Sequence, residues 1–503
     1  MNYTAAKIFL LLLCAANFSF AQVTQKDTLS EKRIPPAVNP FAELREQLDD
    51  FFGDKSFSSA VWGVMVKSLK TGEVIYRRNA DKLFTPASNM KLFTSAAAFL
   101  LLGSNYKYQT SFLANGEFLR GTLKGDLIIQ GSGDPTFSSR FYSSTIKIFE
   151  DWADTLKAKG IYEITGDIYG DDSAFDNIGF GKGWHLDYES RWFASPSSAL
   201  SFSDNIIEIR IEPSEINFPA KVTVDPETKF VTVLPKVLTA DESAESDVIV
   251  SRVRGANLIT VSGQIAKGTK TITEHVSISN PSLYFLTVLR EVLEKSGIVI
   301  RGKIDRLDEA VKNIDQNNLV PIFKHTSVPL RLIIREMNKN SNNFYAEQIL
   351  KTIGLEESDL GTVDNGVKAC KNLFNDMGIN AESIVMADGS GLSRLNLVTP
   401  RQIINLLTYL YKHEDFIKYY ESLPIAGIDG TMAERMKRTA AQNNVHAKPG
   451  YNEFVSSLSG YLETTSGEPL VFSMIVNNYL TPPALANYIH DNVCQRLINF
   501  NRN

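Results

Sequence analysis

Apolar positions change their period along the chain. Phe41, Leu44, Leu48, Phe51 and Phe52 recur at helical spacing and predict an amphipathic helix. Residues 61–69 and 73–77 then read as two strands, and Lys70-Thr71-Gly72 between them is a hairpin turn by its glycine. The next run opens on Thr85-Pro86-Ala87-Ser88 and ends at Leu102-Gly103. Proline suits the first turn of a helix and glycine its end. Met90, Leu92, Phe93 and residues 96–102 make this helix apolar nearly all round, the pattern of burial on every side. A serine at its start faces whatever cleft the helix N-terminus opens onto.

From about 104 to 274 the pattern is strands and turns, with clear segments at 122–130, 164–169, 206–211, 248–253 and 257–265. Helices return at 281–297, 329–350, 365–378 and 400–412. The chain closes as strand, strand, helix, at 455–463, 470–477 and 482–500. This order predicts an α+β domain built from both chain ends. Its sheet is antiparallel, made of the early hairpin and the late strands, with the terminal helices on one face. The expected boundaries are 41–103 and 275–503 for this discontinuous domain, and 104–274 for a large, mostly β insertion.

The 503 residues are 43% hydrophobic and 22% charged, ordinary for a globular protein, and the formal net charge is -5. That balance lacks the basic footprint of a nucleic-acid binder. Residues 1–21 read as a secretory signal. Lys7 precedes a short apolar run, and Ser19 and Ala21 are small residues ahead of Gln22. Cys14 follows Leu13, where a lipid-attachment site wants a small residue. Residues 22–40, with Pro35, Pro36 and Pro40, read as a flexible leader. No later stretch is apolar for long enough to anchor the chain across a bilayer; peripheral membrane contact stays open. Cys370 and Cys494 either pair or sit as buried thiols. The histidines are scattered, and no metal site is expected.

Chemistry concentrates in three places. Ser88 and Lys91 are three apart at a helix start, so they share a face and the amine reaches the hydroxyl. A serine is a poor nucleophile until a base takes its proton; a lysine serves when burial lowers its pKa. The second place is Ser341-Asn342-Asn343 and the third Lys448-Pro449-Gly450, just before the last strands. A Ser-x-x-Lys helix, a later Ser-x-Asn and a Lys-x-Gly entering a strand resemble, in this order, the three-part set of penicillin-binding proteins and serine β-lactamases. Further segments resemble the D-Ala-D-Ala carboxypeptidases that carry a large insertion. These are Gly131-Ser132-Gly133-Asp134-Pro135, Gly170-Asp171-Asp172-Ser173-Ala174-Phe175, the run Asp388-Gly389-Ser390-Gly391-Leu392-Ser393-Arg394, and residues 423–432. The likeness runs from about Phe41 to the C-terminus.

The resemblance implies a penicillin-binding-protein/β-lactamase-like fold and a periplasmic, serine-type D-Ala-D-Ala carboxypeptidase/endopeptidase. It implies peptidoglycan stem peptides as substrates, β-lactam antibiotics as ligands and no cofactor. Ser88 is then the nucleophile and Lys91 its base. Ser341 relays a proton with Lys448, and Asn343 bonds the substrate amide or Lys91. The backbone N–H groups of Ser88 and Tyr451, flanking Gly450, form the oxyanion hole. Two alternatives stay open: a peptidoglycan-binding relic with impaired catalysis, and a serine β-lactamase or esterase on the same fold.

Pro449 departs from the family, which has threonine or serine there to hold the substrate's terminal carboxylate. Proline offers neither a hydroxyl nor an N–H, and is tolerated only where the strand donates no ladder bond. Weakened carboxylate recognition is expected. Lys70-Thr71-Gly72 imitates the third motif but precedes the nucleophile and reads as a turn. Gly131–Pro135 lacks the ending of a phosphate loop and reads as a strand-to-turn corner. Asp171 and Asp172 read as turn-shaping residues, and Trp184, Tyr188 and Trp192 as a packed aromatic cluster. His446 shares a strand face with Lys448 and is assigned to packing or solvation.

Overall fold

The computed structural model describes residues 40–307, 314 and 318–502. The expected signal segment and leader lie outside these residues, except Pro40, which begins the first helix, Pro40–Phe52. The central sheet has five antiparallel strands in the order His446–Asn452, Val455–Glu463, Pro469–Asn477, Val61–Ser68, Val74–Arg78. Both chain ends therefore build one sheet, as the strand order predicts. Gly72 turns the hairpin at φ 78°, where a side chain would be strained, and Lys70-Thr71-Gly72 is a turn.

Val455–Glu463 is buried along nearly its whole length because helices cover both faces of the sheet. On one face the terminal helices Pro40–Phe52 and Pro483–Ile498 bring Leu44, Leu48, Ile489 and Val493 against Trp62, Val64, Phe472 and Met474. On the other, Met65, Val471 and Ile475 meet the helix Met90–Leu101 and those at Leu330–Asn340, Asn343–Ser358, Val363–Asp376 and Pro400–Tyr411. Cys370 and Cys494 are free, buried thiols in these two separate cores.

Three expectations change. The helix expected over 329–350 is two helices, broken where Ser341 takes a left-handed φ of 56°. Apolar periodicity continues through the break and hides it. The signal is Ser341-Asn342-Asn343, since short polar side chains compete for backbone donors. Asn342 does so, accepting the N–H of Tyr345 as N-cap of the second helix. Secondly, Ser88 sits on a 3₁₀ turn, Ala87–Asn89, which leads into the helix at Met90.

The third change concerns the insertion. It contains a helix, Lys147–Ala158, and its chain returns later than residue 275. Strand Val320–Thr326 pairs with Gln109–Leu119, and helix Pro281–Lys295 buries Tyr284, Phe285 and Leu289 with Phe149, Trp152 and Phe202. The excursion from the central sheet thus runs to about Thr326. It holds a mixed seven-stranded sheet and two smaller ones. The expected strand at 164–169 is interrupted at Thr165–Asp167, giving Glu163–Ile164 and Ile168–Asp171.

Buried polar links tie the excursion to the helices behind the site. Lys351, with its side chain 1% exposed, donates to Asp176 Oδ1 at 2.6 Å and to the Ile178 carbonyl at 2.8 Å. Removing one partner of such a pair strands the other charge out of water. Asp176→Ala is therefore expected to cost about 3 kcal/mol of stability, read as a lower urea midpoint, whereas Asp176→Asn, which keeps an acceptor, loses less.

Candidate active site

The left-handed turn at Ala87, φ 47°, delivers Ser88 to the mouth of the buried helix. Lys91 lies one turn on and is 0% exposed. Its Nζ donates to Asn343 Oδ1 at 2.6 Å, to the Ser390 carbonyl at 2.7 Å and to Ser88 Oγ at 3.3 Å. Burial lowers the Lys91 pKa to about 7, against the opposing pull of Asp388 and Glu347. A lysine lowered this far supplies the free amine near neutral pH, the form a general base needs.

Ser341 reaches the same cleft because the break between the two helices turns it there. Lys448 Nζ donates to Ser341 Oγ at 3.0 Å and to the Pro449 carbonyl at 2.9 Å. Lys448 is also fully buried, and burial together with the charge of Lys91 holds its pKa well below the usual lysine range. Asn89, absent from the sequence expectations, donates through Nδ2 to the Lys448 carbonyl at 2.7 Å and joins the nucleophile turn to the edge strand. Gly450 faces Ser88: a Cβ there would stand 2.4 Å from Ser457 Oγ and 2.9 Å from the Ser88 amide nitrogen. Tyr451 follows on the same strand with its side chain exposed. Pro449 lies opposite Leu458 on the outermost strand of the sheet, a place that tolerates proline.

The structure therefore gathers Ser88, Lys91, Ser341, Asn343, Lys448, Gly450 and Tyr451 from distant parts of the chain. Sequence patterns miss the residues that hold them. Asn343 Nδ2 donates to the Phe193 carbonyl at 2.7 Å. Asn342 Nδ2 donates to Asp204 Oδ2 at 3.0 Å, and the same oxygen accepts Arg140 Nε at 2.8 Å. Trp184 is buried and donates to Asp388. All these supports come from the excursion, and nothing in their spacing announces them.

The remaining candidates have structural roles. Asp171 accepts from Ser173 and Gln130, and Asp172 pairs with Arg306. Asp134 caps Thr136 in the Gly131–Pro135 corner. Tyr188 packs on Phe193, but Trp192 is 48% exposed, so the expected aromatic cluster is only partly packed. His446 stacks on Tyr420 with ring centroids 3.8 Å apart, and burial lowers its pKa to about 4.

A sheet between helical layers, with Ser-x-x-Lys, Ser-x-Asn and Lys-x-Gly meeting at one helix mouth, defines the penicillin-binding class of serine peptidases. Comparison with known proteins narrows this further. The chain belongs to the D-Ala-D-Ala carboxypeptidase 3 (S13) family, whose sequence profile matches residues 44–497. It is 31% identical over 469 residues to the D-alanyl-D-alanine carboxypeptidase of Actinomadura sp. (strain R39), covering 91% of this chain and 85% of that one. It is 29% identical to D-alanyl-D-alanine carboxypeptidase DacB of Haemophilus influenzae, covering 83% and 86% of the two chains. The crystal structure of penicillin binding protein 4 (dacB) from Haemophilus influenzae superposes with a TM-score of 0.79 at 27% identity, over 90% of this chain and 99% of that one. The same protein in complex with a novel β-lactam gives 0.74. The chain is a D-Ala-D-Ala carboxypeptidase, a hydrolase.

Close approach at Gly450 supplies a test. In Gly450→Ala the methyl group meets Ser457 and the Ser88 amide and drives the edge strand outward. A shift on the order of 1 Å costs about 100-fold in rate, so stopped-flow acylation by a penicillin is expected to slow by about that factor.

Proposed function

We propose that this carboxypeptidase works through an acyl-enzyme on Ser88. The observation that carries the reading is the wholly buried Lys91 amine, held within reach of Ser88 Oγ and Asn343 Oδ1. Lys91 takes the hydroxyl proton as Ser88 Oγ attacks the carbonyl of the penultimate D-Ala. The oxyanion forms against the N–H groups of Ser88 and Tyr451. Ser341 gives its hydroxyl proton to the departing D-Ala nitrogen and takes one back from Lys448, whose Nζ is hydrogen-bonded to it. Water then attacks the ester carbon and loses a proton to Lys448, while Ser88 leaves and takes back the proton held by Lys91.

The substrates in this reading are peptidoglycan stem peptides, including the cross-link cleaved in an endopeptidase reaction. β-Lactam antibiotics acylate the same serine; a β-lactam complex of the Haemophilus influenzae relative supports this. The chain acts in the periplasm after export. The signal-like residues 1–21 support that placement, and among the described residues no helix is long and apolar enough to cross a membrane.

Intact-mass measurement after incubation with a penicillin tests the chemistry. A stable adduct that is absent from Ser88→Ala is expected. Rapid drug turnover points instead to a β-lactamase, and no adduct at all to a relic. The acylation rate should rise with pH through about 7, because deprotonation of Lys91 creates the base; a flat profile between pH 5 and 9 would contradict its role.

Pro449 sets the second test. The missing hydroxyl removes one charge-assisted hydrogen bond to the terminal carboxylate, worth about 1.5–3 kcal/mol. Pro449→Thr should lower KM for a D-Ala-D-Ala peptide roughly ten- to hundred-fold. An unchanged kcat/KM would show that the proline is not the weak point.

A further inference from the structure

Two buried carboxylates stand behind the Lys91 amine, and the reaction as drawn uses neither. Glu347 is 3% exposed and lies one helical turn after Asn343, so both side chains project from one face of the helix Asn343–Ser358. Its two oxygens accept the backbone N–H groups of Ser390, at 2.8 Å, and Gly389, at 3.1 Å. Asp388, 0% exposed, begins the same strap. Its carboxylate accepts from four donors: Gly391 N at 2.8 Å, Ser393 N at 2.6 Å, Asn396 Nδ2 at 2.7 Å and Trp184 Nε1 at 2.8 Å.

The strap these two acids hold is the one whose Ser390 carbonyl receives Lys91 Nζ. It is also pressed against the nucleophile turn, where a Cβ on Gly391 would stand 1.8 Å from the Ala87 carbonyl oxygen. Four donors on one buried carboxylate fix its position and that of the strap that begins with it. A structural clamp could have been built from neutral amides. Two acids instead place carboxyl groups in a low-dielectric interior beside an amine that must gain and lose a proton.

We propose that Glu347 and Asp388 are positioning residues of the reaction, fixing the strap whose Ser390 carbonyl holds Lys91 and setting two buried carboxyl groups behind its amine. This rests on Lys91 acting as the base for Ser88. Glu347 from the helix and Asp388 from the strap both favour the ammonium form, and burial opposes them. Lys448, from the edge strand, interacts with Lys91 as a like charge. Tyr419, whose hydroxyl donates to the Leu92 carbonyl behind the helix, is kept neutral by burial. Burial and the neighbouring Asp388 push the Glu347 carboxyl upward, so Glu347 and Lys91 titrate over an overlapping pH range.

The sign follows. Removing negative charge destabilises the ammonium form, so Asp388→Asn and Glu347→Gln should each move the acid limb of penicillin acylation to lower pH, by roughly half a unit or more. A purely structural role would slow acylation at every pH and leave the limb where it is. Melting curves identify which variants fold. The wild-type enzyme gives an independent reading. Ionisation of Glu347 raises the affinity of Lys91 for its proton, so the limb should be broader than that of one isolated group. The proposal falls if the folded variants keep the wild-type limb. It also falls if neither variant folds and the wild-type limb has the slope of a single ionisation. Failure of the Ser88–Lys91 reading looks different, because the wild-type enzyme then forms no Ser88-dependent adduct.

Discussion

An ammonium ion taken out of water loses several kcal/mol of solvation, and the site is organised around one such group. Lys91 is held at once by a hydroxyl, an amide oxygen and a backbone carbonyl. Each acceptor must be fixed, because a buried amine that loses a partner has no water to turn to. Asn343 is fixed by the Phe193 carbonyl, and Ser390 by Glu347. The compensation is incomplete, and that incompleteness keeps the amine's proton exchangeable near neutrality.

Backbone conformation follows from the same requirement. Ala87 and Ser341, neither of them glycine, adopt left-handed φ values where the chain must turn a side chain into the cleft. Ser203, Asp204 and Asn205 do so consecutively, at 51°, 52° and 55°, where the excursion meets Asn342. Each such residue costs about 1–3 kcal/mol and persists because its surroundings overdetermine it. For Asp204 those surroundings are Arg140 and Asn342.

What could be read from the chain, and what could not, divides along a physical line. The early hairpin, the late strands and the buried helix after Ser88 were legible because their periodicity records which face meets the core. The three motifs were legible because their chemistry needs particular atoms at a fixed spacing. The break at Ser341 was hidden, since apolar positions keep helical step on both sides of it. Asp204, Phe193 and Trp184 were invisible as site residues, because a partner supplied by tertiary contact leaves no local pattern. Phe193 contributes only a carbonyl, which any residue carries. The later return of the excursion, after Thr326, was missed because the helix Pro281–Lys295 looks the same whichever core it covers.

The register of the central sheet has a consequence for how the protein is made. Val61 pairs with Asn477, so an early strand finds its neighbour only in the last strand before the terminal helix. However fast the chain emerges, the hairpin bearing Val61–Ser68 keeps one edge unmatched until Pro469–Asn477 arrives. Contacts this distant in sequence close slowly, and an open edge invites pairing with other chains. The excursion can bury its own aromatic core during that interval. The nucleophile turn cannot assume its working shape until the final strands dock, so newly synthesised chains stay catalytically silent until they are complete.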